Sequence, residues 1–153
     1  MSSAETVTLR HIARVSELLG KFAIEMIQRG ARHDASKFDP VEMHPLQKMQ
    51  EMIDEEGPAP YGTEEYKRRT AILGPMLKHH YENNSHHPEH YENGVNCMDL
   101  FDVVEMFFDW KAASERGEES AMNISHACAK YKIDEQLTGI FRNTAGRLGY
   151  AHK

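Results

Sequence analysis

The sequence predicts an all-α protein, a compact single-domain helical bundle of about six helices spanning residues 1–153. Three observations carry that expectation. Apolar residues recur at three- and four-residue steps along most of the chain, and Gly and Pro cluster between those stretches. No segment shows a convincing period of two, an internal repeat or a low-complexity tract.

The first helix is predicted in "TVTLRHIARVSELLGKFAIEMIQRG", where His11, Val15, Leu18, Phe22 and Met26 form one inward stripe and Gly30 is a natural stop. "RHDASKF" follows at once. A second helix starts at "DPVE", with Asp39 as N-cap, Pro40 in the first turn and Glu42 at the capping-box position, and runs to about Ile53. "EEGPAPYG" reads as a loop. Thr63 caps a third helix that runs to about Asn83, kinked or split at Gly74-Pro75.

The loop "ENNSHHPEHYENGVN" comes next. After it, "CMDLFDVVEMFFDWKAASERG" is apolar over most of its circumference and is expected to be the central, most buried helix. "EESAMNISHACAKY" and "DEQLTGIFRNTAGRLGY" complete the set, the last with Leu137, Ile140, Phe141 and Leu148 facing inward.

Composition narrows the functional classes. A hydrophobic content of 40% and a charged content of 27% are ordinary for a globular chain. A net charge of −6 argues against a broad phosphate-binding surface for duplex nucleic acid. No apolar run approaches a membrane span, and the polar N-terminus has no signal-peptide core, so a cytoplasmic location is expected. Cys97 and Cys128 are too few and too far apart for a disulfide framework or a zinc ribbon.

Four groups of residues are candidates for chemistry. "HDASK" sets His33 beside Asp34, a mixed nitrogen and oxygen pair suited to a borderline divalent metal. "KHHYENNSHHPEHYENG" holds five of the ten histidines: His79, His80, His86, His87 and His90. Loops ordinarily use Asn, Asp, Gly and Ser, whereas imidazole is the commonest metal ligand among side chains. Asp102, Glu105 and Asp109 share one face of the most apolar helix, with Asp99 nearby, and carboxylates there are costly to bury unless paired or metal-bound. Asp102, flanked by Phe101 and Val103, is the preferred ligand of that stripe. His11 lies on the apolar stripe of the first helix.

Together these residues resemble the HD superfamily of metal-dependent phosphohydrolases. Its pattern is a histidine on one helix, an adjacent His-Asp pair, further histidines and a distal aspartate. "HDASK" is similar to the superfamily's HDxGK form, with Lys37 at the lysine position and Ser36 in place of glycine. The text from "RHDASKF" through "YGTEEYK", "HHYENNSHHPEH" and "MDLFDVVEMFFDWKAA" also resembles a family of short bacterial and phage proteins with no established activity.

The resemblance implies one or two divalent ions (Mn, Fe, Co, Ni, Zn or Mg) held by His11, His33, Asp34, His80, His86, His87 and Asp102. It leaves open which of His79, His80, His86 and His87, and which of Asp99, Asp102 and Asp109, are ligands. It also implies Asp34 and Lys37 as catalytic residues, with Lys37, Arg68 or Arg69 meeting the phosphate of a small substrate, a nucleotide or deoxynucleotide by analogy. The setting would be a bacterial or phage-infected cytoplasm, and homodimers are common among superfamily members. The rival expectations are a metal-stabilised binding protein without turnover and a helical adaptor whose histidines bind nothing.

Overall fold

The computed structural model describes residues 2–59, 63–116 and 121–153. Within them the secondary structure is helical, apart from one isolated bridge between Met122 and His152, and the fold class is all-α. The chain divides into two compact units, Met1–His33 and Asp34–Lys153.

The first unit is helix α1, Ser3–Arg32. Ser2 and Glu5 close a capping box, in which the Ser2 hydroxyl accepts from the Glu5 N–H and the Glu5 carboxylate accepts from the Ser2 N–H. The helix runs through Gly30 and ends two residues later. None of its residues is fully buried, and of the expected inward stripe Phe22 and Met26 are half-buried. Val15 and Leu18 stand 40% and 48% exposed.

The second unit begins with Asp34 in the left-handed region (φ 55°), a conformation Asp tolerates better than most residues, and continues into a 3-10 turn, Ala35–Phe38. Helix α2, Pro40–Glu56, has Asp39 at its N-cap position and Pro40 in its first turn, but Glu42 closes no capping box. Thr63 caps α3, Glu64–Thr70, accepting from the Tyr66 N–H. A 3-10 turn at Ala71–Leu73 separates α3 from α4, Gly74–Asn83, as Gly74-Pro75 predicts. The middle of "EEGPAPYG", residues 60–62, lies outside the described residues.

After a loop with two 3-10 turns comes α5, Leu100–Ser114, then α6, Ile124–Tyr131, and α7, Glu135–Arg147. Residues 117–120, where the next helix was expected to begin, also lie outside the described residues. The sixth helix starts at Ile124 because Asn123 caps it, accepting from the His126 N–H.

The core of this unit is built by Met106 and Phe107 of α5, Met122, Ile124 and Cys128 around α6, and Phe141 and Ala145 of α7. Phe107 stacks on Phe141 at 5.6 Å between centroids, and Trp110 stacks on Tyr131 at 6.2 Å. In α7 the inward line is Leu137, Phe141 and Ala145, at four-residue steps. Ile140 and Leu148, expected inside, are 58% and 46% exposed: Ile140 sits about 100° around the helix from Phe141, and Leu148 is the C-cap residue beyond the last turn. At the other end of the unit α2 packs on α4 and on the turn after Asp34, which brings the HDASK segment to the histidine-bearing helix.

Candidate metal centre

Four side chains from three places in the second unit converge. Asp34 opens the 3-10 turn, His80 lies in the last turn of α4, and His86 and His87 stand in the loop that follows. Each offers one ligand atom, and these atoms all lie within 4.8 Å of one another. Asp34 Oδ1 is 3.3 Å from His80 Nε2 and 3.4 Å from His86 Nε2, and the Nε2 atoms of His80 and His87 are 3.0 Å apart. With metal–ligand bonds of about 2.0–2.1 Å, a tetrahedral shell separates its ligands by about 3.3 Å. The three separations just given lie near that edge length.

The local sequence explains why these atoms face one another. Glu42, fully buried on α2, spreads its two oxygens over adjacent histidines, with Oε1 2.7 Å from His79 Nδ1 and Oε2 2.9 Å from His80 Nδ1. Glu105 of α5 holds His86 in the same way, Oε1 lying 3.1 Å from Nδ1. A carboxylate only accepts hydrogen bonds, so each Nδ1 carries the hydrogen. In a neutral ring Nε2 is then a lone pair, and both lone pairs face Asp34 Oδ1. Electron pairs crowded together in a buried site repel one another unless a cation lies between them. Carboxylates behind metal-bound histidines are the usual device for fixing tautomer and ring direction.

Further partners tie the cluster to the backbone. Asn84, buried, donates to Ser36 Oγ at 2.7 Å and to the His80 carbonyl at 2.8 Å. Ser36, where the HDxGK pattern has glycine, thereby links the 3-10 turn to α4. Lys37 donates to Asp34 Oδ2 at 2.5 Å, and its side chain is 32% exposed, which puts an ammonium at the solvent side of the cluster.

The electrostatics favour a cation. Burial would raise the Asp34 carboxyl, but in the metal-free protein hydrogen bonds from His80 and His86, which require hydrogens on their Nε2 atoms, and the Lys37 ammonium outweigh it and hold the group far below the usual carboxylate range; a cation would take the place of those hydrogens. Burial also works against ionisation of Glu42, and hydrogen bonds from His79, Ser36 and His80 keep it below its ordinary value. His87 is pushed down to about 4, first by burial and then by the neighbouring His86 and His80, with Asp109 and Asp34 opposing. A neutral imidazole is the form that binds metal.

The group of four leaves out several of the expected residues. His11 is exposed on α1, and His33 is the C-cap residue of that helix, both in the first unit. Asp102 is buried on α5 and accepts from Ser85 Oγ and Tyr91 Oη, each at 2.6 Å. It is also the third residue of a capping box with Asp99, its Oδ2 facing the Asp99 N–H at 3.4 Å while its own N–H donates to Asp99 Oδ1 at 2.9 Å. Asp102 thus fastens the segment around His86 and His87 to α5. Burial and the Asp102 carboxylate push the Tyr91 hydroxyl up to about 12.

Arg69, expected at a phosphate, is buried and donates to Glu65, to Glu56 and to the Gly57 carbonyl. Arg68 pairs with Glu65 on the helix surface. His90 is exposed, with Nδ1 2.7 Å from the Tyr81 carbonyl. Sequence reasoning gave no role in the site to Glu42 or Asn84, and it counted Glu105 in the acid stripe of the apolar helix without giving it a histidine to hold. The spacing "MDLFD" did contain a signal about Asp102, because Asp99 and Asp102 stand at N-cap and N3 of the helix they begin.

Residues 2–147 match a family of unknown function, DUF5662, and the chain belongs to that family. No curated protein and no solved structure matches it. Among the described residues no helix is long and apolar enough to cross a membrane.

Proposed function

We propose that the protein is a metal-dependent phosphohydrolase of the HD type, acting on a small phosphorylated substrate, a nucleotide or deoxynucleotide. One observation carries the proposal: His80, backed by the buried Glu42, and His86, backed by the partly buried Glu105, meet Asp34 Oδ1 at the separations of a metal shell. The order of these residues along the chain, an His-Asp pair followed by further histidines, supports the superfamily reading. Three imidazoles and a carboxylate suit Zn, Fe, Co, Ni or Mn better than Mg. A bound divalent ion would supply Lewis acidity and lower the pKa of a coordinated water. Lys37, partly exposed beside Asp34, is placed to draw a phosphoryl oxygen to that side and to balance its charge.

One feature favours a second reading, a metal-stabilised binding protein without turnover. Asp34, His80, His86 and His87 make four protein ligands, enough to close a tetrahedral shell. The deciding experiment is metal analysis of the purified protein, followed by a screen of phosphomonoesters, nucleoside triphosphates and cyclic nucleotides with Mn, Co or Ni added. Tightly held metal with phosphate release that disappears in His86→Ala supports the hydrolase. Stoichiometric metal with no turnover selects the binder, and no affinity for any divalent ion removes both.

A further inference from the structure

The four side chains of the centre are not held alike. Behind His80 stands Glu42, whose Oε2 is 2.9 Å from Nδ1, and behind His86 stands Glu105, whose Oε1 is 3.1 Å from Nδ1. Asp34 turns Oδ1 to these rings while Lys37 holds its other oxygen, Oδ2. His87 has no such support. Its Nε2 faces His80 Nε2 at 3.0 Å, and among the described residues its Nδ1 has no hydrogen-bond partner.

Ring contacts alone place this imidazole, with the centroids of His86, His80 and Tyr81 at 4.2, 4.8 and 5.2 Å. His87 is partly exposed, whereas His80 and His86 are buried. Its backbone is fixed independently of the ring. The His87 N–H donates to the Asn84 carbonyl at 3.2 Å, its carbonyl accepts from the His90 N–H at 3.0 Å, and the buried Pro88 follows. Swinging the ring away is therefore a change of side-chain rotamer that leaves the loop in place. A metal-bound histidine almost always donates its other ring N–H, and losing that partner weakens the metal site by about 10- to 100-fold. By that measure His87 makes the weakest bond of the set.

Resting on the reading of this site as a hydrolytic metal centre, we propose that His87 is its exchangeable ligand. It yields its position to an incoming oxyanion of the phosphate class, while Asp34, His80 and His86 keep theirs. One donor replaces another; no bond inside the oxyanion breaks, and His87 leaves as the neutral imidazole. A shell of four protein ligands thereby gains the open position that a catalytic site needs.

The test uses the full chain loaded with one equivalent of cobalt(II), which moves the proton NMR signals of bound imidazoles far outside the ordinary range. Wild-type protein is titrated with inorganic phosphate. One of three sets of shifted imidazole signals, the set missing from His87→Ala, should return to the ordinary range as phosphate saturates, and the other two should stay. His87→Ala and His87→Gln should keep one equivalent of cobalt with affinity lowered by about 10- to 100-fold. Phosphate should bind both variants on the order of tenfold more tightly than wild type, since no ring has to leave first. Circular dichroism follows their helical content.

Phosphate that leaves all three signal sets in place, or that releases the set of His80 or His86, overturns the proposal. So does a folded His87→Ala chain that loses cobalt as completely as His86→Ala. A wild-type chain that binds no cobalt overturns the metal centre itself, and the exchange with it.

Discussion

His86 Nδ1 lies 3.1 Å from Glu105 Oε1, and this contact decides which ring nitrogen faces Asp34. The glutamate sits one turn beyond Asp102 on α5, so a residue with no place in the expected ligand set directs one of its members. Glu105→Gln is nearly isosteric, but its amide can present a hydrogen to Nδ1 and favour the other tautomer, with Nε2–H aimed at Asp34. Metal affinity should fall by about 10- to 100-fold with no loss of helical content. Competition against a chelator of known affinity measures this, and wild-type affinity would remove Glu105 from the metal's support.

Asp102 and His86 should separate cleanly. His86→Ala deletes a ligand atom and should abolish stoichiometric metal while the fold survives. Asp102→Ala instead strands the Ser85 and Tyr91 hydroxyls and opens the α5 capping box. It should cost about 2–4 kcal/mol of stability while the protein still binds one equivalent of metal, more weakly. Denaturant titration beside metal stoichiometry tests the pair. Loss of all metal at Asp102→Ala with unchanged stability would return Asp102 to the metal shell.

These two residues also show how far the sequence could be read. The helices were legible because their periodicity and their Gly and Pro punctuation are local, and the Gly74-Pro75 break was visible for that reason. Asp34 drew attention through the adjacent His-Asp pair of HDASK, and His80, His86 and His87 because a histidine-dense loop has no ordinary turn chemistry to explain it. Glu42 was not reachable in the same way, since a lone glutamate on a helix reads as surface until another element packs over it, and Glu105 was visible in the acid stripe while its histidine partner, from a different element, was not. Asp102 drew attention as a carboxylate in an apolar helix, yet its burial is satisfied by Ser85, Tyr91 and a cap. Arg69 looked like a surface cation in "EEYKRR", and only the turn at Gly57 shows what buries it.

Arg68 and Arg69 are neighbours with opposite expected sensitivities. Arg69 is 6% exposed in its side chain and holds Glu56, Glu65 and the Gly57 carbonyl, joining the end of α2 to α3. Arg69→Ala should cost about 3 kcal/mol, as a buried guanidinium that joins Glu56, Glu65 and the Gly57 carbonyl is lost. Arg68→Ala should stay within about 0.5 kcal/mol. Urea unfolding of both variants is the measurement, and equal effects would contradict the assignment. Neither change should alter metal content.

Stability of the metal-free protein should fall on acidification. His87 has its folded pKa lowered from 6.5 to about 4. Between those values the unfolded chain binds more protons than the folded one, so unfolding becomes easier as pH drops from about 6.5 toward 4. Asp34, depressed in the folded state, adds stability above the ordinary carboxylate pKa that is lost on further acidification. Both slopes have the same sign. Denaturant midpoints of the metal-free chain from pH 7 to 4 should decline in wild type and flatten above pH 4 in His87→Ala; parallel curves would place the titration elsewhere.

Lys37 separates the hydrolase from the closed metal binder. Its Nζ is 2.5 Å from Asp34 Oδ2, while a third of its side chain remains open to solvent, so it can reach an incoming oxyanion without leaving the cluster. Lys37→Met keeps the apolar stem and removes the charge. If the site turns over a phosphoester, the loss should appear in kcat/KM by about 100-fold, the scale of one electrostatic contact to a developing oxyanion, while metal stoichiometry stays at the wild-type value. In a closed binder the same substitution changes only the metal affinity, because Asp34 loses the partner that restrains its second oxygen. Turnover that persists undiminished in Lys37→Met would assign the phosphate contact to another residue, leaving Lys37 as the counter-charge that holds Asp34 in its left-handed turn.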